Sequence, residues 1–159
     1  MPQKDNAPQT FGFVPLAPEH LSALAALDAT APDPWSEAEI AAELKKPQTR
    51  CTVALQSGVP VGFACFWLEE KTADLATVTV EAAARGRGIG RALLLHCFEQ
   101  LAAEEAERIL LEVRCSNAPA LALYRSLGFA VLATRKNLYT APREDGLLME
   151  LVLEKKSPV

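Results

Sequence analysis

The sequence predicts a mixed α/β fold: a mostly antiparallel sheet with two parallel central strands and helices on both faces. Three observations carry this expectation. Two β-rich runs, residues 51–55 and 61–68, flank Gln56-Ser57-Gly58, which has the composition of a hairpin turn. A strand at 75–80 leads through a glycine-rich loop into an apolar-striped helix and then a strand at 109–114, a unit that implies parallel strands joined by a right-handed crossover. Two further β-rich runs, 129–134 and 147–153, supply the last strands.

The remaining elements follow from local chemistry. Residues 11–16 read as a short strand, and Pro18-Glu19-His20 introduces a helix through Leu21, Leu24, Ala25 and Leu27 that Pro32 and Pro34 interrupt. Ser36 with Glu39 three residues later is a capping box, so a second helix is expected over 37–45, before Pro47. After the loop, Leu94, Cys97, Phe98 and Leu101 share one helical face. Asn117 caps a last helix striped by Ala120, Leu123, Tyr124 and Leu127 and stopped by Gly128. These boundaries give one domain over 11–153, with residues 1–10 and 154–159 as tails.

At 159 residues and 50% hydrophobic residues, the chain can bury one continuous core, yet it holds no apolar run near the roughly 20 residues of a membrane span. Residues 1–10 lack the apolar core and cleavage site of a secretory signal. Cys51, Cys65, Cys97 and Cys115 form no C-x-x-C pair and read as reduced thiols of a cytoplasmic protein. His20 and His96 belong to no zinc spacing, so no metal is expected. A net charge of −4 argues against general nucleic-acid binding and is compatible with a basic protein partner.

The loop Arg85-Gly86-Arg87-Gly88-Ile89-Gly90-Arg91 opens a helix, where unpaired N–H groups and the helix dipole favour a phosphate. Its other reading is a tight strand-to-helix turn. It is no P-loop, because Gly90-Arg91-Ala92 stands where Gly-Lys-Ser/Thr is required. Nor does G-x-G-x-G match the dinucleotide fingerprint G-x-G-x-x-G, although Glu112 lies at about the right distance downstream. Glu112 in turn alternates onto the same strand face as Arg114, where the plain expectation is a surface ion pair.

Taken together these residues resemble the GNAT superfamily of N-acetyltransferases, whose loop pattern Gln/Arg-x-x-Gly-x-Gly/Ala is matched by Arg85, Gly88 and Gly90. The string from Leu111 to Phe129, L-E-V-R-x-S-N-x-x-A-x-x-L-Y-x-x-L-G-F, resembles the RimI branch, bacterial enzymes that acetylate the N-terminal alanine of the eighteenth protein of the small ribosomal subunit. The resemblance implies acetyl-CoA as cosubstrate, its pyrophosphate on the amides of Gly86, Arg87, Gly88, Ile89, Gly90 and Arg91 and its pantetheine arm along Val78, Thr79 and Val80. It further implies Glu112 as general base, Tyr124 as general acid and Asn117 as a cofactor contact. Partial burial would raise the Glu112 pKa towards a useful value.

Weaker likenesses extend this over roughly 11–153. Pro34-Trp35-Ser36 resembles the turn that shapes the acceptor groove, and Arg135-Lys136-Asn137-Leu138-Tyr139 resembles an Arg-Arg-Asn-Tyr-Tyr segment in which Leu138 replaces the first tyrosine. Trp35 and Tyr139 are thus candidate acceptor contacts; they are equally readable as a core anchor and a packed surface residue. Glu81-Ala82-Ala83-Ala84 departs from the family's Asp-Pro and aromatic before the loop. The expected acceptor is a basic protein N-terminus, that of a ribosomal protein. Two rivals stand beside it: an acetyltransferase with broader N-terminal, lysine or small-amine substrates, and a non-catalytic acetyl-CoA sensor or assembly factor. A covalent acetyl-Cys115 is disfavoured because no histidine partners it.

Overall fold

The computed structural model describes residues 11–154, so the expectations for residues 1–10 and 155–159 lie outside the described residues. Seven strands form one sheet in the order β1-β2-β3-β4-β5-β7-β6. In chain order they are β1 (Phe11–Pro15), β2 (Thr49–Gln56), β3 (Val59–Glu69), β4 (Thr72–Val80), β5 (Arg108–Arg114), β6 (Ala130–Thr140) and β7 (Arg143–Val152). Every neighbouring pair is antiparallel except β4 and β5. Helices α1 (Leu21–Asp28) and α2 (Glu37–Glu43) follow β1, α3 (Ile89–Ala103) joins β4 to β5, and α4 (Ala118–Ser126) joins β5 to β6.

Alternation along the strands divides the interior in two. Val53 and Phe63 face Leu24 of α1 and Ile40 of α2. Ala64, Phe66, Ile109, Leu111 and Val113 face the opposite way, onto Leu93, Leu94, Phe98 and Leu101 of α3 and Leu121 and Tyr124 of α4. The sheet therefore carries α1 and α2 on one face and α3 and α4 on the other, as the sequence predicts.

The local signals act as expected. Ser36 Oγ accepts from the Glu39 N–H at 3.1 Å while a Glu39 carboxyl oxygen accepts from the Ser36 N–H at 3.2 Å, closing the capping box. Asn117 Oδ1 accepts from the Ala120 N–H at 3.3 Å at the start of α4. Ser57 and Gly58 turn the β2–β3 hairpin with φ of 48° and 80°, the left-handed pair a two-residue hairpin loop needs.

Several boundaries differ from the sequence expectation, among them the start of β4 at Thr72 rather than Leu75, so the residues that pair with β5 precede the expected strand. Helix α2 ends at Glu43, because Glu43 turns inward and binds Lys46 and Thr49 beyond the helix end. The closing hairpin is far longer than the two apolar runs: Arg135, Lys136, Asn137 and Tyr139 continue β6, with register shifts beside Val131 and Arg135. This strand lies at the sheet edge and is largely exposed, so its charged half lacks the alternation that a half-buried strand displays.

Glu43 is 4% exposed and accepts from Lys46 Nζ at 2.8 Å, Thr49 Oγ1 at 2.5 Å and the Trp67 indole at 3.0 Å. Burial pushes its carboxyl up, but those hydrogen bonds outweigh burial and hold it below its ordinary value of 4.5. The stabilisation is thus present above pH 4.5 and is lost as pH falls through the lower folded value. Glu43→Gln is expected to cost about 1–3 kcal/mol at neutral pH. It should also flatten this part of the acid limb in denaturant titrations run from pH 7 to pH 3.

Candidate active site

Strands β4 and β5 pair only at Thr72–Asp74 against Arg108–Leu110. Beyond Asp74 the two strands part, although β4 stays bonded to β3 as far as Val80 and β5 to β7 as far as Arg114. One edge of each strand is therefore unpaired along an opening in the middle of the sheet. A bulge helps to cause it: Cys65 pairs with Thr77 and Phe66 with Leu75, so Ala76 has no opposite residue and β4 bends there. Val78, Thr79 and Val80 line the parted stretch, with Val78 and Val80 packed towards α3 and Thr79 turned to the opposite face.

The glycine loop closes one end of this opening. Gly88 is the N-cap of α3, with φ 75° and ψ 12°, and Gly86 has φ 79°. A Cβ at either glycine would meet no atom within 4 Å, so the requirement for glycine is the left-handed backbone rather than a crowded neighbour. That open space and the unpaired first N–H groups of a 15-residue helix form a place where an anion can approach the main chain. Arg91 donates to Ser126 Oγ at 2.8 Å, tying the start of α3 to the end of α4, and Arg85 donates to the Val80 carbonyl at 3.0 Å, tying the loop to the strand it leaves.

Glu112 and Tyr124 belong to opposite faces of the sheet. Leu111 and Val113 enter the α3/α4 core, so Glu112 and Arg114 project to the α1/α2 side. Glu112 and Arg114 do not pair with one another, contrary to the plain sequence expectation. The Glu112 carboxylate lies 4.0 Å from Arg135 Nε on β6, and its side chain is 39% exposed rather than buried. Arg114 is drawn inward, 8% exposed, by partners distant in sequence: Asp33 at 3.2 Å, Glu144 at 3.4 Å and the carbonyls of Ala141 and Pro142. Its guanidinium lies over the Tyr139 ring, 4.2 Å from the centroid.

Tyr124 is 7% exposed, and its ring meets Phe129 edge-on at 5.7 Å. Its hydroxyl has no hydrogen-bond partner among the described residues, yet no buried polar side-chain atom there lacks one, so the hydroxyl touches solvent-accessible space. Burial pushes the phenol up to about 12. Asn117 uses its side-chain oxygen on the α4 cap. Trp35 stacks on Trp67 at 6.4 Å and packs on the smaller core.

Sequence reasoning passed over Asp28, Asp33 and Glu144 and gave Arg114 the wrong partner, because the bonds Asp28–Thr79, Arg114–Glu144 and Arg114–Asp33 span 51, 30 and 81 residues of chain and leave no local spacing. Two surface grooves of about 520 and 630 Å³ lie around Glu43 and Gln100 and around Lys71 and Leu153. Neither includes Glu112, Tyr124 or the glycine loop.

Comparison with known proteins agrees with this architecture. The model of the acetyltransferase (GNAT) family matches residues 21–129. The chain is 37% identical over 120 residues to the ribosomal protein bS18-alanine N-acetyltransferase of Escherichia coli K12, covering 74% of this chain and 80% of that one. It is 36% identical over 121 residues to the N-alpha-acetyltransferase RimI of Mycobacterium tuberculosis H37Rv, covering 74% and 75%. The crystal structure of the E. coli ribosomal-protein-S18-alanine N-acetyltransferase superposes with a TM-score of 0.85 at 32% identity, covering 93% of this chain and 97% of that one.

Fold and site thus define an enzyme that transfers acetyl groups from acetyl-CoA. The chain belongs to the GNAT acetyltransferase family. Its residues fit that cosubstrate, since the loop leaves main-chain N–H groups beside open space and β4 offers an unpaired edge next to it.

Acetyl-CoA is expected to raise the melting temperature through binding to the folded state, by about 2.7 kcal/mol of stabilisation at a hundredfold excess over Kd. Gly88→Val places a β-branched residue at a φ of 75°. It should cost roughly 1–2 kcal/mol without ligand and remove most of the ligand-induced shift. A folded variant with unchanged acetyl-CoA affinity by calorimetry would overturn the role of the loop.

Proposed function

We propose that this enzyme acetylates the α-amine of a protein N-terminus, that of small ribosomal subunit protein bS18 or a similar alanine-first, basic sequence. The observation that carries this reading is the opening between β4 and β5, with Glu112 on one face of the sheet and Tyr124 on the other. The relatives named as bS18-alanine N-acetyltransferases support the choice of acceptor.

On this reading the amides of Gly86, Arg87, Gly88, Ile89, Gly90 and Arg91 hold the pyrophosphate, and the edge of Val78, Thr79 and Val80 aligns the pantetheine arm, with Asn117 nearby. Acetyl-CoA supplies an acetyl thioester whose carbonyl carbon accepts the amine. An α-amine has a pKa near 8 and must shed its proton to attack. Glu112 takes that proton, directly or through a water, and its exposed position on the α1/α2 side leaves room for the acceptor to approach. As the C–N bond forms and the C–S bond breaks, Tyr124 presents its hydroxyl to the departing sulfur. Holding both reactants across one gap removes the entropy of bringing them together.

The acceptor side carries three carboxylates, Asp33, Glu112 and Glu144, against two arginines, Arg114 and Arg135. Asp33, Glu112 and Glu144 surround Tyr139 closely enough to raise its pKa after the larger effect of burial, and Arg114 offsets only part of that field. Basic residues after the first alanine suit such a wall, and salt should weaken their capture. Trp35 and Tyr139 are the proposed flanks of the groove.

Peptides beginning Ala-Arg-Tyr-Phe followed by basic residues test the substrate. Mass spectrometry should find acetyl on the α-amine, almost none when the amine is blocked, and much less on an internal lysine. Equal modification of the lysine peptide would favour the broader acetyltransferase.

Tyr124→Phe keeps the ring and should lower kcat on the order of 10²-fold with little change in acetyl-CoA affinity. Because Tyr124 holds its proton to about 12, the wild-type rate should rise through the amine pKa and then stay level to pH 10. A fall centred below pH 10 in still-folded enzyme would contradict this assignment.

A further inference from the structure

Asp28 is the last residue of α1, is fully buried, and takes no part in the mechanism above. Its place is unfavourable on two counts. Burying a carboxyl costs free energy that only its hydrogen bonds offset, and an acidic side chain at a helix C-terminus opposes the helix dipole. Both oxygens are engaged: Oδ1 accepts from Thr79 Oγ1 at 2.6 Å and Oδ2 from the Trp35 N–H at 2.5 Å. Thr79 lies in the parted half of β4, and Trp35 closes the α1–α2 connection.

That connection has a second anchor. Asp33 accepts from Arg114, the final residue of β5. The segment between α1 and α2 is therefore fastened to β4 through Asp28 and Thr79, and to β5 through Asp33 and Arg114. These are the two strands that share no hydrogen bonds past Asp74 and Leu110. We propose that the α1–α2 connection is a strap across the opening, and that Asp28, through Thr79, is a positioning residue that sets the β4 edge at its working distance from Glu112.

The opposing explanation is that the Asp28–Thr79 bond only stabilises the fold, and the two differ in what they do to turnover. The proposal rests on acetyl transfer to an amine bound on the α1/α2 side, so the wild-type enzyme must first acetylate the alanine peptide; failure there strikes the acceptor assignment and not the strap. Given that activity, Thr79→Val removes the donor and keeps the shape. Well below its melting temperature it should lower kcat on the order of 10-fold and raise the acceptor KM, with acetyl-CoA Kd by calorimetry within about twofold of wild type. Thr79→Ser restores the hydroxyl and should restore kcat. Thr79→Ala replaces the valine variant should that fail to fold, and Asp28→Ala, which removes both acceptor oxygens, should show the same kcat loss. A lowered melting temperature with wild-type kcat and acceptor KM would overturn the proposal. So would a kcat loss that serine does not rescue.

Discussion

The parting of β4 from β5 is the constraint on which the rest of this molecule depends. Interior strands of a sheet normally satisfy their main-chain groups on both edges, because an unpaired buried N–H or C=O costs as much as a lost hydrogen bond. Here two central strands each give up one edge along the same stretch, and the sheet survives because each keeps its outer neighbour. A gap of this kind is stable only where water or a ligand can reach it. It also opens a passage from one face of the sheet to the other, so groups from two separate cores can act on one bond. Glu112, outside the larger core by strand alternation, and Tyr124, inside it by helix packing, lie on opposite faces of the sheet.

On the proposed strap, the width of the gap is kept by charge rather than by sheet bonds. Arg114 is held by Asp33 from the α1–α2 segment, Glu144 from β7 and two carbonyls of the β6–β7 turn. Such an array is demanding, since removing one partner leaves a nearly buried charge short of compensation. It is also directional, because a planar guanidinium fixes its carboxylates in its own plane while its face rests on Tyr139. The arginine thereby locates both segments that flank the proposed acceptor side from a single point on β5.

Sequence reading reached the parts of this site that local chemistry specifies. The glycines of the loop, the Asn117 cap, the Ser36–Glu39 box and the apolar stripe of α3 are each determined within about four residues, and each is present where expected; in α4 the buried pair is Leu121 and Tyr124, with the expected Ala120, Leu123 and Leu127 half-buried. The Arg114 cluster is a different matter. Alternation correctly put Glu112 and Arg114 on one face, but pairing them assumed that neighbours on a strand satisfy each other. Partners 30 and 81 residues away are nearer in space and draw the arginine inward. The same limit hid the Asp28–Thr79 bond, across 51 residues, and the full length of β6, whose exposed edge position demands no apolar alternation.

Burial of Tyr124 bears on how the phenol serves in the proposed mechanism. A free thiol has a pKa near 8.5, so a phenol at about 12 would give its proton to a thiolate uphill by roughly 3.5 units, on the order of 5 kcal/mol. Complete transfer before the C–S bond breaks is therefore disfavoured. A hydrogen bond is not, because its worth grows as charge builds on the sulfur and the surroundings are too apolar to screen it. Tyr124 is thus best suited to stabilise the developing thiolate while keeping its proton through most of the step, with the proton removed from the amine left to Glu112 on the other face. This division needs no proton to pass through the sheet, and it suits a side chain held in the α3/α4 core.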